Sequence, residues 1–258
     1  MGRVAAHVFI DDLSAGRPAL CEDDVHHLSR VLRLRPGETV SVSDGRGAVQ
    51  LCQWAGGPEL EPIGAPVRHA RPAPLLTVGF ALTKGEHPEE AVQKLTEAGA
   101  DRVVVVISAR CVARWTPAQE GRRLQRLREV ARQAAMQSRR PWLPMVEGPV
   151  PFPELAGAQG RGAQGEGPGS GGPAGGGTAR LTAGGAAGLA LAVPGGAPLT
   201  LSTPTVLVGP EGGWTDEELA AVPRHVGLGP YVLRAETAAV AAGVLLAALR
   251  AGLVTGTA

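Results

Sequence analysis

Three short stretches hold the residue types that could do chemistry: Thr83-Lys84-Gly85-Glu86-His87, Gly209-Pro210-Glu211-Gly212-Gly213 and Arg234-Ala235-Glu236. A glycine-rich loop between a strand and a helix commonly cradles phosphate on backbone N–H groups. The second stretch departs from that use. It lacks the lysine and hydroxyl of a P-loop, it does not follow G-x-G-x-x-G, and Glu211 stands at its centre. A carboxylate there repels a polyphosphate. The loop suits a ligand approached closely by backbone and not strongly anionic, and an adenosine carrying a sulfonium fits that description. The alternative is a plain strand-to-helix turn that needs positive φ. Lys84 and Lys94 are the only lysines beside many arginines, and a lysine kept in such a background hints at a place where arginine would not serve. Cys21, Cys52 and Cys111 lie far apart with no C-x-x-C pair, so neither a metal site nor a disulfide framework is expected. Reduced thiols in a cytoplasmic protein are the simple expectation.

Those loops need elements to hold them. Leu75 to Leu82 is an apolar run that predicts a buried strand. Pro88 to Ala98 predicts a helix, with Pro88 in the first turn, Glu89 and Glu90 at the positive end of the dipole and Gly99 as the stop. Its buried stripe is Ala91, Val92, Leu95 and Ala98. Arg102 to Ile107 predicts a second buried strand, and the three together make a parallel βαβ unit. Thr116-Pro117-Ala118-Gln119 opens a helix to about Ser138 through a capping box. Its stripe is Leu124, Leu127, Val130 or Ala131, and Ala134. Its other faces carry Arg122, Arg123, Arg126, Arg128 and Arg132, which face RNA or simply solvent. Leu189 to Val193 and Thr205 to Val208 predict further strands, and Thr215-Asp216-Glu217-Glu218 is a second capping box. Tyr231-Val232-Leu233 predicts a last short strand before a helix from Glu236 to Arg250. Ligands in open α/β sheets bind at the carboxyl ends of strands, where the three opening stretches fall.

The residues up to about Ala70 have another style. His7 to Ile10 reads as a strand, and Glu22 to Leu32 as a helix with Val25, Leu28, Val31 and Leu32 on one face. Thr39 to Ser43, the turn Asp44-Gly45-Arg46-Gly47 and Ala48 to Trp54 read as a hairpin. Arg30, Arg33, Arg35 and Arg46 cluster here, as an RNA surface or a solvated face. Prolines in His69 to Pro74 predict a stiff linker. From 157 to 188 the chain is mostly Gly, Ala, Ser, Gln and Pro, too poor in large apolar groups to offset its chain entropy, so a flexible insertion is expected.

The 258 residues suffice for one large domain or two modest ones. At 44% hydrophobic but 3% aromatic, the core must be built from Ala, Val and Leu. A net charge of +1 excludes a uniformly basic coat but not a local basic patch. Met1 to Leu13 meets Asp11-Asp12 at once and does not read as a signal peptide. No stretch approaches the roughly 20 apolar residues of a membrane span.

Val206-Leu207-Val208-Gly209-Pro210-Glu211-Gly212-Gly213 resembles the signature of the RsmE family, the 16S ribosomal RNA uridine-N3 methyltransferases of the SPOUT class. Leu82-Thr83-Lys84-Gly85, Gln93 to Gly99, Arg110-Cys111, Ala134 to Arg139, and Leu228-Gly229-Pro230 with Leu233 to Ala238 are similar to that family's other segments in order. His26-His27-Leu28 to Arg35-Pro36-Gly37, then Asp44-Gly45, resembles its N-terminal RNA-binding domain. The resemblance spans nearly the whole chain outside the glycine-rich insertion. Ala235 stands where a threonine is usual, and Met136 where a glutamate is usual.

The resemblance implies an α/β fold: a PUA-like β-barrel over 1–70, a linker over 71–74, and a SPOUT domain over 75–258 with a parallel sheet and a deep trefoil knot. It implies S-adenosyl-L-methionine as cofactor, held by Leu82, Thr83, Val208, Gly209, Pro210, Glu211, Gly212, Gly213, Leu228, Gly229, Leu233 and Ala235. It implies RNA contacts by Arg30, Arg33, Arg35, Arg46, Lys84 and Arg139. The partners implied are 16S rRNA of the small ribosomal subunit and a second copy of the chain, with no metal and no membrane. The implied reaction is methylation of N3 of a uridine. That edge must be presented unpaired, its proton removed and the charge growing on O2 and O4 stabilised. Arg234 is the candidate stabiliser, and Glu211 or Glu236 the candidate proton acceptor. Glu236 also suits a helix N-terminus and Arg234 an RNA phosphate. The alternative function is a non-catalytic RNA-binding ribosome-assembly factor on the same scaffold, and another base or the ribose is an alternative target.

Overall fold

A computed structural model describes residues 4–13, 18–85, 87–157 and 188–255. The expected insertion therefore falls, but for its flanks, outside the described residues. Two sheets divide the elements. The first has the order β1-β2-β3-β4, with β1 (Ala6–Phe9), β2 (Thr39–Ser43), β3 (Ala48–Trp54) and β4 (Leu60–Arg68). The predicted hairpin is there: β2 and β3 pair antiparallel, Thr39 opposite Gln53 and Ser43 opposite Val49. Alternation sends Val40 and Val42 of β2, with Cys52 and Trp54 of β3, into a core shared with Val8, Leu28 and Leu60.

The helix predicted over Glu22 to Leu32 is shorter than expected. α1 (Glu22–His26) passes into a π turn at His27–Val31. The wider turn rotates the later side chains off the expected face. Leu28 is fully buried, but Val31 and Leu32 are exposed, and Asp24 is buried instead.

The second sheet is parallel throughout and has the order β10-β8-β9-β5-β6-β7. Its strands are β5 (Thr77–Ala81), β6 (Arg102–Ile107), β7 (Met145–Pro151), β8 (Leu189–Pro198), β9 (Thr205–Val208) and β10 (His225–Gly227). The predicted βαβ unit is β5, α2 (His87–Ala98) and β6, with Val78 level with Val103 and Ala81 level with Val106. Strand β9 lies between β5 and β8 and is buried on both faces, hence its unbroken apolar sequence.

Helices α2, α3 (Pro117–Gln137) and α6 (Ala235–Arg250) cover one face. Gly243 of α6 permits the close approach to α2, since a Cβ there would lie 2.5 Å from Leu95 Cδ2. On the other face α4 (Phe152–Gly157) and α5 (Asp216–Ala221) pack with Trp214. The capping box of α3 forms as predicted, with Gln119 Oε1 accepting from the Thr116 N–H at 3.1 Å.

The last strand is not where the sequence suggested. Tyr231 to Leu233 is an irregular connection with Tyr231 and Val232 exposed, and the strand is His225–Gly227. Three β-formers in a row satisfied the local pattern, but the sheet edge beside β8 was already taken by β10.

Candidate active site

Every strand of the second sheet ends on the same edge because all pairs are parallel. Phe80 is level with Val208, and Val208 with Ala192. The loops after β5, β6 and β9 therefore leave side by side. Leu82 and Thr83, both buried, follow β5, and the Leu82 N–H still donates to Val106 O at 2.9 Å. Lys84 and Gly85 then turn into solvent.

Helix α6 brings the third stretch to that edge by running against the strands. Its far end is fixed at the amino edge, where Arg250 donates to Pro74 O, to Gly99 O and to the buried carboxylate of Asp101. A 16-residue helix spans roughly 24 Å at 1.5 Å per residue. Its first turn therefore lies at the carboxyl edge, beside the glycine loop. Arg234 is the exposed residue before that turn, with extended backbone, Ala235 is buried and Glu236 is half-buried. The dipole of α6 adds positive potential there.

The glycine loop itself is tightly braced. The Gly213 N–H donates to Pro210 O at 2.8 Å, with Gly213 at φ +70°. Gly209 lies against the indole of Trp214, whose Nε1 donates to Ala192 O at 3.2 Å. Arg110, on the loop after β6, donates to Gly212 O at 2.9 Å and to Trp214 O at 3.1 Å. The buried carboxylate of Glu218 accepts from the N–H of Ala109 and of Thr215, both at 2.9 Å. Exposed Glu217 is held below the usual carboxylate range by its own N–H and the Thr215 hydroxyl, with the charge of Arg110 contributing.

The structure thus gathers Leu82, Thr83, Val208 to Gly213, Leu228, Gly229 and Leu233 to Glu236 at one edge. Leu228 and Leu233 are half-buried, while Gly229 and Glu211 are exposed. A Cβ added to Gly213 or to Gly229 (φ +151°) would meet no atom within 4 Å. Open space therefore faces backbone at both loops, and the buried Thr83 hydroxyl and the carboxylate of Glu211 supply polar character. Bare backbone, one hydroxyl, one carboxylate and apolar Leu82, Val208 and Leu228 fit an adenosine with a cationic sulfur.

The expected RNA contacts are dispersed. Arg30, Arg33 and Arg35 are exposed around the π turn of the first domain, Arg33 at φ +53°. Arg46 donates to Asp11 O at 2.9 Å and, with Arg68, Asp12 and Asp44, lines a groove of about 590 Å³. Lys84 lies at the carboxyl edge. Arg139, at φ +55° just past α3, donates to Val4 O at 2.8 Å. Of the α3 arginines, Arg132 pairs with Asp24, Arg128 donates to Val146 O and Arg126 pairs with Glu129. Met136 packs against the core of the first domain. Cys111 is buried, its thiol 3.3 Å from Ser108 Oγ. Among the described residues no three His, Cys, Asp or Glu side chains group as a metal site would require.

Arg110, Glu218 and Trp214 were not singled out from sequence as parts of this site. The second capping box was a signal for Glu218, since its carboxylate reaches back as that motif requires. Its second partner, Ala109, is 109 residues away and left no local trace.

Comparison with known proteins places the chain in a family. Residues 71–165 and 184–247 match an RNA methyltransferase domain, and residues 20–53 match an RNA methyltransferase PUA domain. The chain is 35% identical over 253 residues to the ribosomal RNA small subunit methyltransferase E of Mycobacterium tuberculosis, covering 93% of this chain and 90% of that one. It is 33% identical over 224 residues to the protein of that name from Synechocystis, covering 83% and 67%. The fold matches the crystal structure of the Neisseria gonorrhoeae ribosomal RNA small subunit methyltransferase E bound to S-adenosyl methionine, with a TM-score of 0.72, 23% identity, and 95% and 97% of the chains covered. The bare glycine loop, the start of α6 beside it and these likenesses lead to one conclusion: the chain belongs to the ribosomal RNA small subunit methyltransferase E family.

Proposed function

We propose that this protein transfers a methyl group from S-adenosyl-L-methionine to N3 of a uridine in 16S rRNA of the small ribosomal subunit. The observation that carries the reading is the meeting of the glycine loop and the first turn of α6 at one carboxyl edge, reached only by the antiparallel run of α6. Leu82, Thr83, the backbone of 208–213, Leu228, Gly229, Leu233 and Ala235 hold the cofactor. When bound, it supplies an electrophilic methyl group on a cationic sulfur. Arg234, exposed at the helix start, faces the charge that grows on the uracil oxygens. Glu211 or Glu236 takes the N3 proton. Arg30, Arg33, Arg35, Arg46, Lys84 and Arg139 contact RNA, and phosphate contacts of this kind set register rather than sequence.

The division into 1–70, 71–74 and 75–258 belongs to this reading, as do a trefoil knot and a homodimer in the cytoplasm. The exposed apolar side chains of Tyr231 and Val232, with Val244 on α6, support an interface between copies. Among the described residues no helix is long and apolar enough to cross a membrane.

The test is methyl transfer from labelled S-adenosylmethionine to undermodified 30S subunits, followed by nucleoside analysis. Appearance of 3-methyluridine, lost in Arg234→Ala, is the expected result. Cofactor binding without transfer would instead favour the non-catalytic assembly factor.

A further inference from the structure

We infer that Arg110 and Glu218 are positioning residues that lock the glycine loop in its cofactor-binding shape. The inference rests on the cofactor site proposed above.

The physical need comes first. Three of the five residues from Gly209 to Gly213 are glycine. That composition leaves backbone exposed to a ligand but also gives the segment unusual freedom when nothing restrains it. Ordering such a loop at the moment of binding subtracts from affinity. Its internal restraint is a single turn bond, Gly213 N–H to Pro210 O.

The restraint comes from the neighbouring loop, in both directions. Arg110 reaches out from the loop after β6 and donates to Gly212 O and Trp214 O. Glu218 reaches back from α5 and accepts from the Ala109 N–H, while its other oxygen holds the Thr215 N–H. A cation from one segment and a carboxylate from the other thus grip each other's backbone from adjacent positions, Ala109 and Arg110. Sliding one segment along the other breaks both grips together. Glu218 is 7% exposed, so its bonds compete little with water. The loop that presents Arg110 is itself a turn, with the Cys111 N–H on Ser108 O at 3.2 Å. Neither side chain is a candidate for touching the reacting atoms. Both act through the loop.

Hydrogen exchange at 209–214 in the free protein and calorimetric binding of S-adenosylmethionine test this together. In Arg110→Ala the loop amides exchange faster, the cofactor Kd rises about 10-fold, the loss expected for charge-assisted bonds, and kcat at saturating cofactor stays within about 2-fold. Arg110→Lys, which keeps a donor able to reach carbonyls, recovers most of the affinity. Glu218→Gln leaves one acceptor oxygen and turns an amide NH2 toward a backbone N–H, so it weakens binding by about 3-fold. Unchanged exchange or unchanged Kd in Arg110→Ala overturns the strap, and so does a fall in kcat with Kd intact. If the unmodified protein binds no S-adenosylmethionine at all, the proposed function fails, and exchange alone then decides whether the brace exists.

Discussion

Arg132 of α3 and Asp24 of α1 form a two-point ion pair between the first sheet's domain and the second, Nη2 to Oδ2 at 2.7 Å and Nη1 to Oδ1 at 3.1 Å. The same guanidinium donates to Phe9 O at 3.0 Å. Asp24 is almost wholly buried while Arg132 keeps about a third of its side chain in water. Bonds between Ser43 and Pro141, Gly47 and Pro141, and Leu143 and Gly45 continue this seam. Specific bonds therefore hold the first sheet's residues against α3 and the segment that follows it.

Replacing Asp24 with Ala strands the Arg132 charge at the seam. The expected loss is about 1–2 kcal/mol, reduced by the solvent that reaches Arg132. A urea titration measures it. Affinity for 30S subunits should fall while the cofactor Kd stays unchanged. Equal losses in both would place Asp24 in folding alone.

His7 predicts an acid-sensitive seam. Burial, with the charge of Arg139 adding, lowers its pKa to about 4 against the opposing bond to Arg140 O. Nε2 lies 3.1 Å from Arg140 O, so it carries the proton, and Nδ1 accepts from Ser41 Oγ at 2.7 Å. The folded pKa lies below the unfolded value of 6.5, so the unfolded chain binds more protons between them. The stability contribution is complete above about pH 6.5 and is lost as pH falls toward 4, by about 3 kcal/mol in all. In His7→Gln the drop in urea midpoint between pH 7 and pH 4.5 should shrink. An identical drop would assign it to other groups.

Gly227 cannot carry a side chain. An added Cβ would lie 2.8 Å from Gly196 O, and one on Gly196 would lie 2.5 Å from the Val226 carbonyl carbon. Backbone stands against backbone, so no rotamer relieves the clash. Gly227→Ala should cost about 1–3 kcal/mol and weaken S-adenosylmethionine binding, because Leu228 and Gly229 follow at once. Thermal unfolding and calorimetry read both. Unimpaired cofactor binding would show that this contact between β8 and β10 does not set the loop.

For the chemical step, Arg234→Ala should lower kcat by about 10²–10³ with little change in cofactor Kd. Single-turnover methyl transfer at saturating RNA separates this from a phosphate contact, which would raise KM for RNA and spare kcat.

Much of the fold was legible because its signals are local. Apolar runs marked β5, β6 and β9, two capping boxes marked α3 and α5, and alternation marked β2 and β3. What escaped has a shared physical character. Strands β4 and β7 are at sheet edges and carry Pro62, Pro66, Gly64, Gly148 and Pro149, which an edge tolerates but which erase the period-two pattern. The π turn after α1 carries Leu28 into the first core, and nothing in Glu22 to Leu32 announces it.

The candidate site divides the same way. The sequence by itself determined the glycine loop, with Glu211 in it and no phosphate-binding lysine, and placed it after a buried strand. It also determined that Arg234 and Glu236 flank a helix start. These are properties of neighbouring residues. Only the tertiary structure decided that the two stretches share one edge, because that depends on α6 running against the strands from its anchor at Asp101. Only it decided that Met136 packs into the seam between domains, and that Arg132 serves that seam. Only it paired Ala109 with Glu218. Such contacts join residues about a hundred positions apart, and composition and periodicity carry no information about which distant carbonyl a side chain will meet.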